Sequence, residues 1–189
     1  MRRAGIPELE MKLIVSLYWN QYATVKTRNG ISRIICIRRG VLQGCIISPI
    51  LFLLYSEFMM KDAVEARKGI IVNGQNINNL RFADDAVILA CSNRSLQKIV
   101  DSLQMICTEY GMDVNVKKTK VMVFSKEENV QCNIKVNEYL EQVTSYRYLG
   151  SIVTEDGRSE VEIKTRIAMA KKAFRKMKEV TRGQVNLTA

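Results

Sequence analysis

The chain has 189 residues, nearly half of them apolar, enough for one sizeable core or one domain with an appendage. Twenty-nine Lys and Arg against 19 Asp and Glu leave a formal charge of +10, an excess that favours polyanionic partners such as nucleic acid. Histidine is absent, which excludes Ser-His and Cys-His nucleophile machinery and imidazole metal sites, and five cysteines scattered without a Cys-x-x-Cys pair speak against zinc knuckles and a disulfide framework.

Pro7 at a first-turn position precedes Leu9, Leu13, Ile14, Leu17 and Tyr18, a helix with one apolar stripe expected to pack on a sheet. Asn29-Gly30 between residues 22–28 and 31–37 signals a type I′ hairpin, closed by Arg38-Arg39-Gly40. Ser48-Pro49 offers an N-cap and a first-turn proline to a helix from Ile50 to about Ala66, apolar on most sides at its start and therefore expected to be buried there. The most apolar run, residues 45–55, is interrupted by Pro49 and falls well short of the ~20 residues that a membrane span needs. No apolar stretch directly follows Met1-Arg2-Arg3-Ala4-Gly5, so an intracellular, soluble chain without a membrane partner is expected.

Asn73-Gly74 marks a second turn, leading to residues 77–81 and then to Phe82-Ala83-Asp84-Asp85 and the apolar run 86–90. Two short strands here would present Asp84 and Asp85 at the tight connection of a hairpin, where their side chains leave the pleat and can converge on an ion. Carboxylates on a stiff hairpin suit Mg²⁺, which takes hard oxygen ligands and usually retains waters and substrate phosphates in phosphoryl transfer. Asp-Asp also serves simply as a turn, since Asp is a favoured turn residue.

Leu96, Ile99, Val100, Leu103, Ile106, Cys107 and Tyr110 recur at helical spacing, with Gly111 as the stop. Met112, Val114 and Val116 alternate, Lys117-Lys118-Thr119-Lys120 interrupts, and 121–124 resumes an extended run. Further strands are expected near 130–136 and 146–153. Ser159-x-x-Glu162 resembles a capping box opening a helix with Ile163, Ile167, Ala170, Phe174 and Met177 on one face. Its other side carries Lys164, Arg166, Lys171, Lys172, Arg175, Lys176 and Lys178, a candidate contact to a duplex backbone or simply a solvated face. The composition shift at Glu155-Asp156-Gly157 divides a body, 1–155, from a helical segment, 156–189.

The block Gly40-Val-Leu-Gln-Gly-Cys-Ile-Ile-Ser-Pro-Ile-Leu-Phe52, followed by Phe82-Ala83-Asp84-Asp85, Gly111-Met-Asp-Val-Asn115 with the lysines after it, Tyr146-Arg-Tyr-Leu-Gly150 and Ile163-Lys-Thr-Arg-Ile167, resembles the reverse transcriptases of non-LTR (LINE-type) retrotransposons in order and spacing. The resemblance covers nearly the whole chain. It implies an α+β fold: a partial polymerase palm, an antiparallel sheet with packed helices, followed by the start of a helical thumb. It implies RNA-directed DNA polymerase chemistry with an RNA template, a DNA primer and dNTPs, two Mg²⁺ ions with Mn²⁺ as a substitute, and a nuclear setting. By the match, Asp84 and Asp85 are the palm carboxylates, Asp84 foremost as metal ligand, and Phe82 replaces the tyrosine often found there. Gln43, Gly44 and Ser48, with Phe82, border nucleotide and template, and Gly40 and Gly44 let backbone approach a nucleotide closely. Lys118, or Lys117 or Lys120, faces the leaving pyrophosphate; Tyr148, Leu149 and Gly150 form the primer grip; and Lys164, Lys171, Lys172 and Arg175 meet nucleic-acid backbone.

The family also carries an aspartate on a strand upstream of the Gly40 block. Before Gly40 the acidic residues are Glu8 and Glu10, both on the first expected helix, so the chain is expected to lack that strand and the fingers and to be inactive by itself. The alternative expectation is a non-catalytic basic remnant that binds nucleic acid.

Overall fold

A computed structural model describes residues 2–28, 30–65, 67–127 and 130–182, with the side chains of the last helix described to residue 177. Asn29 and Ala66, to which the sequence assigns a turn position and a helix end, lie outside the described residues, as does the side chain of Lys178. The chain forms two units, the first running to Met112 and the second starting at Asp113. No described helix is long and apolar enough to cross a membrane.

In the first unit, a 3-10 turn (Arg2–Ala4) leads to α1 (Glu8–Tyr18). Strand β1 (Gln21–Ala23) pairs antiparallel with β4 (Ile35–Ile37), and β2 (Lys26–Thr27) with β3 (Gly30–Ile31). These are two stretches of the expected hairpin, but their registers differ by one residue: Tyr22 faces Cys36 whereas Lys26 faces Ile31. Ser32 marks the junction. Its N–H donates to Val25 O and its Oγ accepts from Val25 N–H, both at 2.9 Å, which leaves Arg33 and Ile34 as a bulge opposite Thr24. The apolar stripe of α1 does not pack on this ribbon; Leu9, Leu13 and Leu17 are exposed, because the short ladder offers no continuous apolar face.

Helix α2 (Ser48–Val64) and α3 (Asn93–Glu109) pack on each other through Met59, Met60, Ala63 and Val64 against Ile99, Val100 and Cys107. Each large side chain buried there contributes about 1.5–3 kcal/mol relative to exposure. The core lies at the C-terminal half of α2, so Ile50 and Leu53 at its start remain exposed, contrary to the expectation of burial. Nor does Ser48 cap the helix. It is the first helical residue, and its hydroxyl donates to Leu42 O at 2.6 Å. α3 ends as the sequence expects: Gly111 takes φ +65°, Met112 N–H donates to Cys107 O and Gly111 N–H to Thr108 O, a Schellman motif.

Between these helices, β5 (Ile70–Val72) pairs with β6 (Gln75–Ile77) around Asn73-Gly74, both at positive φ, and β7 (Asn79–Phe82) pairs with β8 (Asp85–Ile88). Asn78 joins the two hairpins and is buried. Its Nδ2 donates to Val64 O at 2.7 Å, which also accepts from Arg67 N–H, and to Arg67 O at 2.9 Å just past the end of α2. Asn76 works beside it, accepting from Gly69 N–H and donating to Arg67 O. Gly69 is squeezed against the same turn: a Cβ there would stand 2.0 Å from Ile77 O. At the other edge, Arg3 makes two 2.8 Å bonds to Asp62 of α2, and Tyr110 Oη donates to the same carboxylate at 2.6 Å. Bonds from Arg3 and then Tyr110 hold the Asp62 carboxyl well below the usual carboxylate range.

In the second unit, β9 (Lys120–Val121) runs parallel to β12 (Glu141–Gln142), and β10 (Lys135–Val136) pairs with β11 (Glu138–Tyr139). Val121, Cys132, Ile134, Val136 and Leu140 form a small core. Strand β13 (Ser145–Tyr148) and β14 (Ser151–Thr154) make a hairpin against which α4 (Glu160–Arg182) packs. The alternation at 112–116 forms no strand, and only 120–121 of the following run is extended. On α4, Ile163, Ile167, Phe174 and Met177 are exposed.

Two outcomes follow from this packing. Gly69→Ala lowers the thermal midpoint markedly, because the added methyl meets backbone that cannot swing away. Asp62 is ionised in the folded chain to lower pH than in the unfolded one, so its contribution is complete above about pH 4 and is lost as pH falls. Asp62→Asn therefore flattens the acid limb of a stability-versus-pH curve, measured by denaturant melts across that range.

Candidate functional site

The paired carboxylates sit where the sequence places them. Phe82 faces Asp85 across the last rung of the β7–β8 ladder, and Ala83-Asp84 make the two-residue turn. Ala83 adopts φ +53°, a left-handed conformation that L side chains disfavour, so the tip is held in a strained shape by the strands below it. Both aspartates and Phe82 are exposed. Alternation along the strands gives the hairpin two faces. One carries Arg81, whose guanidinium pairs with Glu57 of α2 at 2.8 Å; the other carries Leu80, Phe82, Val87 and Asp85.

The Gly40–Ser48 segment precedes the same helix. Gly40 and Gly44 adopt φ +99° and +85°, and a Cβ at either would meet nothing within 4 Å. Their need for glycine is conformational, and the space beside each is open. Ser48 is buried, and Tyr18 Oη of α1 lies 2.7 Å from its Oγ and 3.3 Å from Cys45 Sγ. Bonds from Tyr18 and then Ile47 N–H lower the Cys45 thiol from its ordinary range, while the Tyr18 phenol is raised. Gln43 is exposed beside this network. α2 is thus the shared support: its first residue anchors the Gly40–Ser48 loop, Glu57 holds the acid hairpin, and its C-terminus is capped by the asparagine that enters that hairpin.

The remaining residues lie on the second unit. Lys117 and Lys118 are exposed, whereas Lys120 Nζ is engaged by Glu141, which leaves the first two as the available cations of the loop. Tyr146 Oη donates to Lys118 O at 3.4 Å. Tyr148 faces Ser151, and Leu149-Gly150 turn between them at φ +49° and +80°. Glu162 does not close a capping box; its carboxylate turns back to the β13–β14 hairpin and to Arg166. Lys164, Lys171, Lys172 and Arg175 are exposed along α4, and Lys164 approaches Glu160 at 3.7 Å, an exposed pair of little energetic weight.

Oxygen donors such as Asp84 and Asp85 match the preference of Mg²⁺. Among the described residues, no group of three or more His, Cys, Asp or Glu side chains could hold a metal ion. Sequence reasoning passed over Asn76, Asn78, Tyr18 and the Glu57–Arg81 pair. The signal for the asparagines was four amides, Gln75, Asn76, Asn78 and Asn79, within five residues of a segment otherwise reading as strand.

A family model described as reverse transcriptase (RNA-dependent DNA polymerase) matches residues 2–153. The chain is 33% identical over 113 residues to an uncharacterized transposon-derived protein of Caenorhabditis elegans, covering 58% of this chain and 40% of that one. It is 26% identical over 175 residues to a retrovirus-related Pol polyprotein from the type-1 retrotransposable element R2 of Nasonia vitripennis, covering 86% of this chain and 17% of the relative. The corresponding polyprotein of Popillia japonica is 28% identical over 162 residues, 79% of this chain and 23% of the relative. The chain thus spans less than half the length of each of these relatives.

The strain at the acid hairpin is measurable. Ala83→Gly removes a side chain from a left-handed position and raises stability by up to about 1 kcal/mol, after the extra entropy of glycine in the unfolded chain. Chemical denaturation of the two forms reads the difference.

Proposed function

We propose, for a chain that belongs to the reverse transcriptase (RNA-dependent DNA polymerase) family, that it supplies the carboxylate hairpin and nucleotide-binding segment of an RNA-templated DNA synthesis carried out by a non-LTR retrotransposon protein. The observation that carries this reading is the exposed pair of Asp84 in the turn and Asp85 at the start of β8, on a hairpin braced to α2 by Arg81 and Glu57. Asp84 and Asp85 are the residues that would hold Mg²⁺, or Mn²⁺ in its place. Such an ion supplies Lewis acidity toward the primer hydroxyl and the phosphate oxygens. The chain's own groups do the rest. Gln43, Gly44 and Ser48 border the incoming base and the template, in a loop whose glycines leave room for a ligand. Lys118, with Lys117 beside it, places positive charge near the leaving pyrophosphate. The Tyr148-Leu149-Gly150 turn holds the primer end, and Lys164, Lys171, Lys172 and Arg175 track the duplex backbone. The cell compartment that fits this chemistry is the nucleus.

Two carboxylates from one hairpin tip hold Mg²⁺ weakly, since the ion demands near-ideal octahedral geometry, and no third acid groups with them among the described residues. The chain by itself therefore binds nucleic acid through its basic surface and sustains little synthesis. Primer extension on an RNA template with Mg²⁺ or Mn²⁺, run beside a binding titration, tests both statements. Salt-sensitive binding without extension is expected. Robust synthesis that Asp84→Ala abolishes overturns the expected inactivity while upholding the role of the acids, and synthesis that survives Asp84→Ala overturns that role.

A further inference from the structure

The tip of the β13–β14 hairpin is fastened to α4 by a chain of charge-assisted bonds. Glu162 Oε2 accepts from Ile152 N–H at 2.8 Å, its Oε1 accepts from Arg166 Nε at 2.6 Å, and Arg166 donates onward to Gly150 O at 3.1 Å. One carboxylate and one guanidinium thus hold the second turn residue and the strand that leaves it. The Glu162 side chain is only 17% exposed, and Arg166 first, then Ile152 N–H, holds its carboxyl below the ordinary range. From the other strand, Tyr146 reaches the carbonyl of Lys118.

The held object is unusual. Leu149 sits at φ +49° in a position that favours Asn or Gly, and half of its surface is exposed, so burial does not account for its strained backbone. A stiff apolar knob at a braced turn suits the terminal sugar and base of a nucleic-acid strand. We infer that Glu162 and Arg166 are positioning residues that fix the Tyr148-Leu149-Gly150 tip so that it discriminates a recessed 3′ end from other duplex ends. The inference rests on reading this tip as the primer-holding turn.

Electrostatics and positioning make opposite demands here, which gives a clean test. Glu162→Gln raises the net charge by one and Arg166→Lys leaves it unchanged, so charge alone strengthens overall binding in the first and preserves it in the second. Neither preserves the clamp: glutamine offers one accepting oxygen where the carboxylate serves two donors, and lysine lacks the fork that spans Glu162 and Gly150. The full chain is titrated by fluorescence anisotropy with an RNA–DNA hybrid bearing a recessed DNA 3′ end, and with a hybrid of equal length and overhang bearing a recessed 5′ end. The expected result is a preference for the 3′ end in the unaltered chain, reduced about tenfold in both variants, with thermal melts and salt slopes little changed. If Glu162→Gln unfolds the chain, Arg166→Lys carries the comparison alone. A preference that survives intact in folded variants overturns the clamp and leaves the tip reading standing, whereas no preference in the unaltered chain overturns the tip reading and the clamp with it.

Discussion

The first unit depends on a backbone contact that admits no side chain: Gly69 lies against Ile77 and Asn78 so closely that a methyl would overlap the chain. That approach lets the Asn78 amide reach the carbonyls of Val64 and Arg67, and a buried amide with both donors satisfied costs little to hold in place. From there the chain runs directly into β7. The position of the acids therefore inherits its precision from the end of a helix whose neighbouring turns are packed on α3, not from the two-stranded ribbon itself, which alone would be marginal in water.

The β7–β8 and β13–β14 turns share a peculiarity. Ala83 and Leu149 are non-glycine residues in left-handed backbone at hairpin tips, and each tip is braced from outside the turn, by Arg81 and Glu57 in one case and by Arg166 and Glu162 in the other. Strain of this kind persists where surrounding structure over-determines it. At the first tip the ion pair itself joins helix to hairpin, and at the second a pair within α4 bonds the hairpin backbone, so helix packing and tip geometry are mechanically linked in both.

Features governed by local chemistry were legible in the sequence. The six apolar positions of α3, with Tyr110 at its C-cap and the glycine after it, define that helix and its stop, Asn73-Gly74 defines a turn with two positive φ values, and the acids fall at a hairpin tip as alternation requires. Features governed by competition between partners were not. Ser48 reads as a cap, yet a carbonyl six residues back and a tyrosine from α1 claim its hydroxyl. Glu162 reads as half of a capping box, yet a strand amide and an arginine one turn ahead bind it instead. Asn78 reads as an unremarkable polar residue because its partners lie on a helix whose end periodicity does not fix. The apolar stripe of α1 is plain in the sequence, but periodicity identifies a face without identifying what covers it.

The parallel pairing of β9 with β12 bears on the order in which the second unit assembles. Those strands are joined across the intervening β10–β11 hairpin, so their ladder forms only after a loop of that size has closed. The β13–β14 ribbon and the first turns of α4 are neighbours along the chain, and their contacts are available sooner. The gripping tip can thus mature ahead of the small core that anchors the lysine loop, giving this half of the molecule an early-forming and a late-forming piece.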